Sequence, residues 1–177
     1  PALSLCAGTA VCLALQRWQL GDVRLKWPND VFLNERKVCG ILLESVPTCP
    51  ARLVIGVGLN VNNSLGQAPA ELRERATSLT DETGVAYDLE TVLIELLQEL
   101  ERVLVVLASQ PQDLPPLWNE LSWLTGKEVI ITDAVGVCRG RGIGIAEDGA
   151  LLLQTSAGVR RIISGSVTVL PAGPEVA

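Results

Sequence analysis

The chain has 177 residues, 48% of them hydrophobic but only 3% aromatic, so its core must rest on Leu, Val, Ile and Ala. The formal charge of −6 is confined to the first part: residues 1–123 carry 9 basic and 15 acidic side chains, residues 124–177 carry 5 of each. That balance argues against a nucleic-acid binder, which needs a basic face, and no apolar run reaches the ~18 residues of a membrane span.

Residues 3–19 read as a helix, with Leu3, Ala7, Ala10, Val11, Ala14, Leu15 and Trp18 on one face. Gly21-Asp22 ends it. Val23 to Trp27 reads as a strand stopped by Pro28, and Asn29-Asp30 is turn chemistry. Val31 to Leu33 and Val38 to Ser45 read as two strands joined by the polar loop Asn34-Glu35-Arg36-Lys37. Arg52 to Asn60 is a further strand, interrupted by Gly56 and Gly58. Residues 62–87 are polar, with a short helical piece from Leu72 to Thr83.

Asp88 is a plausible N-cap for a long helix. Its stripe of Leu89, Val92, Leu93, Leu96, Leu97, Leu100, Val103, Leu104 and Leu107 predicts core packing, with Glu90, Glu95, Glu99, Glu101 and Arg102 on the solvated face. Pro111, Pro115 and Pro116 mark a break. After Trp123 come short strands over Glu128–Thr132, Val137–Ala146, Leu151–Thr155, Arg160–Ile163 and Ser166–Leu170, which suggest a small β-barrel domain. The tail from Pro171 reads as frayed.

The five cysteines (Cys6, Cys12, Cys39, Cys49, Cys138) are odd in number and lack paired spacing, so reduced thiols fit better than disulfides or a zinc site. The absence of histidine excludes Ser-His-Asp chemistry and His-ligated metals. The N-terminal segment lacks the basic start of a signal peptide, which predicts a soluble, cytoplasmic protein. The chain starts at Pro1 and contains no methionine, which predicts that further N-terminal sequence belongs to the protein.

Chemistry concentrates in Lys26-Trp27-Pro28-Asn29-Asp30 and in Lys37-Val38-Cys39-Gly40-Ile41-Leu42-Leu43-Glu44. Lys26 ends an apolar strand, where a cation needs a partner. Asp30 is the candidate, and a salt bridge that merely holds the turn is the competing structural reading. Gly56-Val57-Gly58-Leu59-Asn60 leaves room for close approach of a ligand or of another backbone. It is not a dinucleotide motif, because the third glycine and the following helix are missing.

Taken in order, Lys-Trp-Pro-Asn-Asp, Lys-x-x-Gly-Ile-Leu-x-Glu and Gly-x-Gly-x-Asn-Val resemble the catalytic domain of biotin protein ligases (biotin–[acetyl-CoA-carboxylase] ligases). Ala76-Thr77-Ser78-Leu79 with Gly84 is similar to the family's next segment. Gly140 to Gly149 and Leu151 to Leu153 resemble its C-terminal SH3-like domain. The resemblance implies an α+β fold: a class II synthetase-like catalytic domain with a mixed sheet (residues 1–123), followed by a small SH3-like β-barrel (residues 124–177).

It also implies a reaction. Biotin and ATP give biotinyl-5′-AMP, and biotin then passes to a lysine of the biotin carboxyl carrier protein of acetyl-CoA carboxylase. Mg²⁺ would accompany ATP, held largely by phosphates and water. Lys37 matches the family's lysine that contacts biotin and the activated phosphate, and it is the expected catalytic residue. Gly40, Ile41 and Leu42 would offer backbone contacts and an apolar wall to biotin. Lys26, Asn29, Asp30, Gly56, Gly58 and Asn60 match the nucleotide side. Protein metal ligands, nucleic-acid partners and membrane contacts are not expected. Family dimers often pair through the catalytic-domain sheet, which leaves a homodimer open.

Several positions depart from the family pattern. Its Gly-Arg-rich loop and earlier strand and helix have no counterpart here, so the 177-residue chain by itself is expected to show little ligase activity. Ser166 and Leu170 stand where the family often has Glu and Arg, and Cys39 replaces a small residue. A lipoate or octanoate ligase relative, or a homologue that binds biotin or a carrier without catalysis, are the alternatives.

Overall fold

A computed structural model of the chain describes residues 2–171, the side chains of Pro50 and Ala51 apart. The first helix, α1 (Ala2–Arg17), is followed by strands β1 (Val23–Lys26), β2 (Asp30–Leu33), β3 (Arg36–Val46) and β4 (Cys49–Leu59). These form a four-stranded sheet in the order β1-β2-β3-β4, and each neighbouring pair is antiparallel. Parallel pairing enters through isolated bridges, Leu25 with Ser122 and Lys37 with Ala76.

One face of this sheet packs on α1. Alternation puts Val23, Leu25, Val31, Leu33, Cys39 and Ile41 on that face, and all are buried. Almost every residue of α1 from Leu5 to Leu15 is buried, not just one stripe. Small residues bring it close: a side chain at Gly8 would meet Leu25 Cδ1 at 2.5 Å.

The other side of α1 carries α4 (Leu89–Ser109). Asp88 caps α4 as expected, accepting from the Thr91 N–H. The stripe behaves differently from the sequence reading. Val92 and Val103 are buried and Leu96, Leu100 and Leu107 pack against the core, whereas Leu89, Leu93 and Leu97 are exposed, as are Ile94 and Val105 outside the stripe. The helix is apolar over more than one face, and only one of them meets α1. Glu99, expected on the solvated face, is 1% exposed and ion-paired to Arg17 at 3.0 Å and to Arg102 at 3.2 Å. No described helix is long and apolar enough to cross a membrane.

The predicted helical piece from Leu72 to Thr83 is two helices, α2 (Ala70–Arg75) and α3 (Leu79–Thr83). Extended residues separate them, because the Thr77 N–H donates to the Lys37 carbonyl and Ser78 caps α3. The prolines read as a break instead open α5 (Leu114–Leu121) after a 3₁₀ turn at Pro111–Asp113. In a first turn, proline lacks only an N–H that has no intrahelical partner. Leu114, Trp118 and Leu121 of α5 are buried in the common core.

The remaining strands are β5 (Glu128–Asp133), β6 (Gly136–Ile145), β7 (Leu151–Thr155), β8 (Gly158–Ile162) and β9 (Ser166–Val169). They form a second antiparallel sheet in the order β8-β7-β6-β5-β9, which is open, with β8 and β9 at its ends, and not a closed barrel. The tail beyond Pro171, expected to fray, lies outside the described residues. The two sheets are tied by the fully buried Trp27, whose indole N–H donates to the Gly149 carbonyl at 2.9 Å.

Candidate active site

The strand register assembles the site. Lys26 pairs with Asp30, Asp30 with Gly40, and Gly40 with Gly58, one row across all four strands. Cross-strand partners point to the same side, so the row lies on the face away from α1. The neighbouring row places Phe32 beside Lys37. On the other side Leu42 pairs with Gly56. A bulge between Val31 and Phe32 lets Val38 and Cys39 both face the core, and this keeps Lys37 on the open face.

Lys37 is therefore a strand residue and not part of a loop. Asn34 and Glu35, both at positive φ, form the tight hairpin turn, and Arg36 already belongs to β3. The Lys37 ammonium is ion-paired to Asp30 Oδ1 at 2.5 Å. Asp30 was the expected partner of Lys26; it pairs with Lys37 instead. Lys26 lies over the rings of Phe32, at 5.0 Å, and Trp123, at 5.5 Å. Burial pushes the Lys26 ammonium below the usual lysine range, Asp30 partly offsets this, and Lys37 adds to it.

The glycines leave a trough beside this charged end. A Cβ on Gly40 would come within 3.2 Å of Lys37 Cε and Nζ, so its absence admits the ion pair. A Cβ on Gly56 or Gly58 would meet nothing nearer than 3.7 Å. Those two glycines relieve no crowding within the chain; they leave space above the sheet. Leu42, exposed beside Gly56, supplies an apolar edge.

Three other predicted residues serve differently. Ile41 points its side chain into the core, so only its backbone borders the trough. Asn29 donates from Nδ2 to the Ile41 carbonyl at 2.7 Å and accepts the Ile41 N–H on its own carbonyl, clamping the Pro28-Asn29 turn to β3. Asn60 donates to the Thr77 carbonyl at 3.0 Å and accepts from Asn63 on Oδ1. Burial pushes the Cys39 thiol up to about 12, so it is an inert core group.

Residues that sequence reading did not single out complete the site. Glu82 of α3 accepts from Arg36 at 2.6 Å, and from Asn34 and Thr77, both at 2.7 Å. It thereby holds the hairpin turn and the segment bonded to the Lys37 carbonyl. Trp123, fixed by the bond from its backbone N–H to the Leu25 carbonyl, packs on Phe32 with ring centroids 4.7 Å apart. A cleft of about 570 Å³ runs between this face and β9, lined among others by Lys26, Asp30, Lys37, Arg75, Trp123 and Thr168. Among the described residues no group of three or more Cys, Asp or Glu could hold a metal ion. Asp30, Glu35 and Glu74 are carboxylates of the cleft, which suits a cation that arrives on phosphate oxygens and needs few protein ligands.

Comparison with known proteins finds matches for both parts of the chain. Residues 1–61 match the biotin/lipoate A/B protein ligase family, and residues 124–170 match the biotin protein ligase C-terminal domain. The bifunctional ligase/repressor BirA of Bacillus subtilis is 30% identical over 170 residues, spanning 94% of this chain and 52% of the relative. The biotin–[acetyl-CoA-carboxylase] ligase of Mycobacterium tuberculosis is 33% identical over 182 residues, spanning 98% of this chain and 61% of the relative. The chain thus spans about half the length of the first of these curated relatives. A structure of the Aquifex aeolicus biotin protein ligase in complex with biotin and ATP superposes with a TM-score of 0.85 at 30% identity, over 97% of this chain and 72% of that one. The α+β architecture, the two sheets and the ordered motifs agree with that match: the chain belongs to the biotin protein ligase family.

Proposed function

We propose that this chain carries the nucleotide-side framework of an ATP-dependent biotin protein ligase, with residues 1–123 as catalytic domain and residues 124–177 as the small C-terminal domain. In the first step a biotin carboxylate oxygen attacks the α-phosphorus of ATP. The bond to the β-phosphate oxygen breaks, giving biotinyl-5′-AMP and pyrophosphate. In the second step the ε-amine of a carrier lysine attacks the acyl carbon, AMP leaves, and the amine loses a proton as the amide forms. The acceptor is the biotin carboxyl carrier protein of acetyl-CoA carboxylase, and the setting is the cytoplasm.

The observation that carries this reading is the Lys26–Asp30–Gly40–Gly58 row with Lys37 beside it. Neither step needs a protein nucleophile; the first needs two anions held together and their charge offset, and the second needs the carrier amine held at the acyl carbon while charge builds on the departing AMP. The ammonium of Lys37 sits where it can bridge a carboxylate and a phosphate oxygen, and the Asp30 pair orients it until they arrive. Biotin lies in the trough over Gly40, against Leu42 and the backbone of Ile41; the open space above Gly56 and Gly58, which the residue order assigned to the nucleotide side, favours giving these two glycines to biotin as well. The nucleotide occupies the cleft beside Lys26, while Asn29 and Asn60 hold the turn before β2 and the end of β4 through their bonds to backbone carbonyls. Mg²⁺, when bound, would offset phosphate charge, with Asp30 as a carboxylate of the same cleft.

The test is transfer of labelled biotin to a carrier domain by the full-length protein with ATP and Mg²⁺. Transfer supports the reading. Saturable biotin binding without transfer would make the protein a non-catalytic homologue, and preference for lipoate or octanoate would move it to the sister family.

A further inference from the structure

The cleft continues past Trp123 into a second lobe of about 550 Å³, lined by Glu35, Trp123, Gly126, Lys127, Glu128, Arg141 and the end of β9. Glu35, Trp123 and Val169 border both lobes, so the two adjoin. Lys127 stands at the junction. Its ammonium lies 3.5 Å from the centroid of the Trp123 ring, the same ring over which Lys26 lies. Two ammonium groups, one from each sheet region, thus share one indole.

The backbone around Lys127 is held in place. Gly126 is at positive φ and donates to the Gly142 carbonyl, and the Gly142 N–H donates to the Lys127 carbonyl at 2.9 Å. A side chain on Gly142 would collide with the Leu124 carbonyl, so this turn can cross β6 only over glycine.

The carboxylates nearby are mostly engaged elsewhere. Asp30 is paired to Lys37, and Glu128 to Arg141 at 3.2 Å. Among the described residues Lys26 has no carboxylate within ion-pair distance, and Lys127 has Glu35 at 3.9 Å, on a side chain 78% exposed. Burial pushes the Lys127 ammonium below the usual lysine range; Glu35 and Asp22 partly offset this, and Arg24 and Lys26 add to it. Cations partly removed from water, and only weakly paired, are costly unless an anion joins them. A ring face returns only about 0.5–2 kcal/mol.

We infer that Lys127 is a phosphate-binding residue through which the small C-terminal sheet contacts a di- or triphosphate lying across Trp123. Two ammoniums by one indole, Lys26 lining one lobe and Lys127 the other, match an anion with separated charges, as in a polyphosphate. The assignment rests on the ligase reading.

The test is calorimetric titration of the full-length protein with ATP, AMP and inorganic pyrophosphate in Mg²⁺ buffer, for the wild type, Lys127→Met and Lys127→Arg. Methionine keeps the apolar stem on Trp123 and removes the charge. Lys127→Met is expected to weaken ATP or pyrophosphate binding about 10-fold, the lower end for a hydrogen bond to a charged group. AMP binding should stay within about twofold, and Lys127→Arg should restore most of the loss. Loss for ATP alone identifies the substrate polyphosphate as the ligand, and loss for pyrophosphate alone the product. Unchanged binding of both, or equal loss for AMP, overturns the assignment. A wild-type protein that does not bind ATP at all would instead sink the ligase reading.

Discussion

Replacing Gly58 with alanine should move stability and ligand binding in opposite directions. The new Cβ would have the Gly40 carbonyl oxygen as its nearest neighbour, at 3.7 Å, an ordinary van der Waals distance. Gly58 is not among the glycines at positive φ, so alanine can take its backbone conformation. Loss of glycine's freedom in the unfolded chain should then stabilise the fold by about 0.4–1 kcal/mol. A biotin ring lying on the trough would meet the added methyl, and overfilling a packed site costs about 1–3 kcal/mol, or about 5- to 150-fold in affinity. Urea unfolding and biotin titration of the same Gly58→Ala protein check the two halves. Wild-type biotin affinity would refute the placement of the ligand over this row, and destabilisation beyond about 1 kcal/mol would refute the reading of Gly58 as open space.

Asp30→Asn removes the carboxylate that raises the Lys26 pKa. The Lys26 ammonium then loses its proton at lower pH, and the alkaline limb of the adenylation rate should move to lower pH; an unmoved limb would count against Lys26 as a phosphate contact. Trp27→Phe leaves the Gly149 carbonyl without its indole donor at a buried contact between the sheets, which should cost about 1–3 kcal/mol in chemical unfolding; no change would mean that water replaces the bond. Glu82→Gln weakens the anchor of Arg36, Asn34 and Thr77. It should lower kcat more than it raises KM for ATP, and a stability loss with kcat intact would reduce Glu82 to a structural role.

Part of the site could be read from residue order, because Lys26, Gly40 and Gly58 fall into strands that apolar alternation marks, whereas Asp30 and Lys37, read as turn and loop residues, belong to β2 and β3. Which carboxylate meets which lysine could not. The choice of Lys37 over Lys26 for Asp30 depends on the bulge at Val31/Phe32 and on the tight Asn34-Glu35 turn. Sequence shows an asparagine's capacity to hydrogen-bond but not its partner, so Asn29 and Asn60 read as ligand groups although both bond backbone carbonyls. The α4 pattern shows that the helix is apolar, but not which apolar residues a neighbour covers. Glu99 escaped because its partner Arg17 lies 82 residues away. The prolines concealed α5 because the same residue both ends one helix and opens another.

The central claim is that Lys37 offsets charge during adenylate formation. Biotin-dependent exchange between pyrophosphate and ATP, measured on the full-length protein, isolates that step from transfer to the carrier. The account predicts exchange that requires biotin in the wild type and falls by about 10²- to 10³-fold in Lys37→Met, while unfolding stays within about 1 kcal/mol because the side chain is on the surface. Equal exchange in the two proteins, or wild-type exchange that does not depend on biotin, would contradict it.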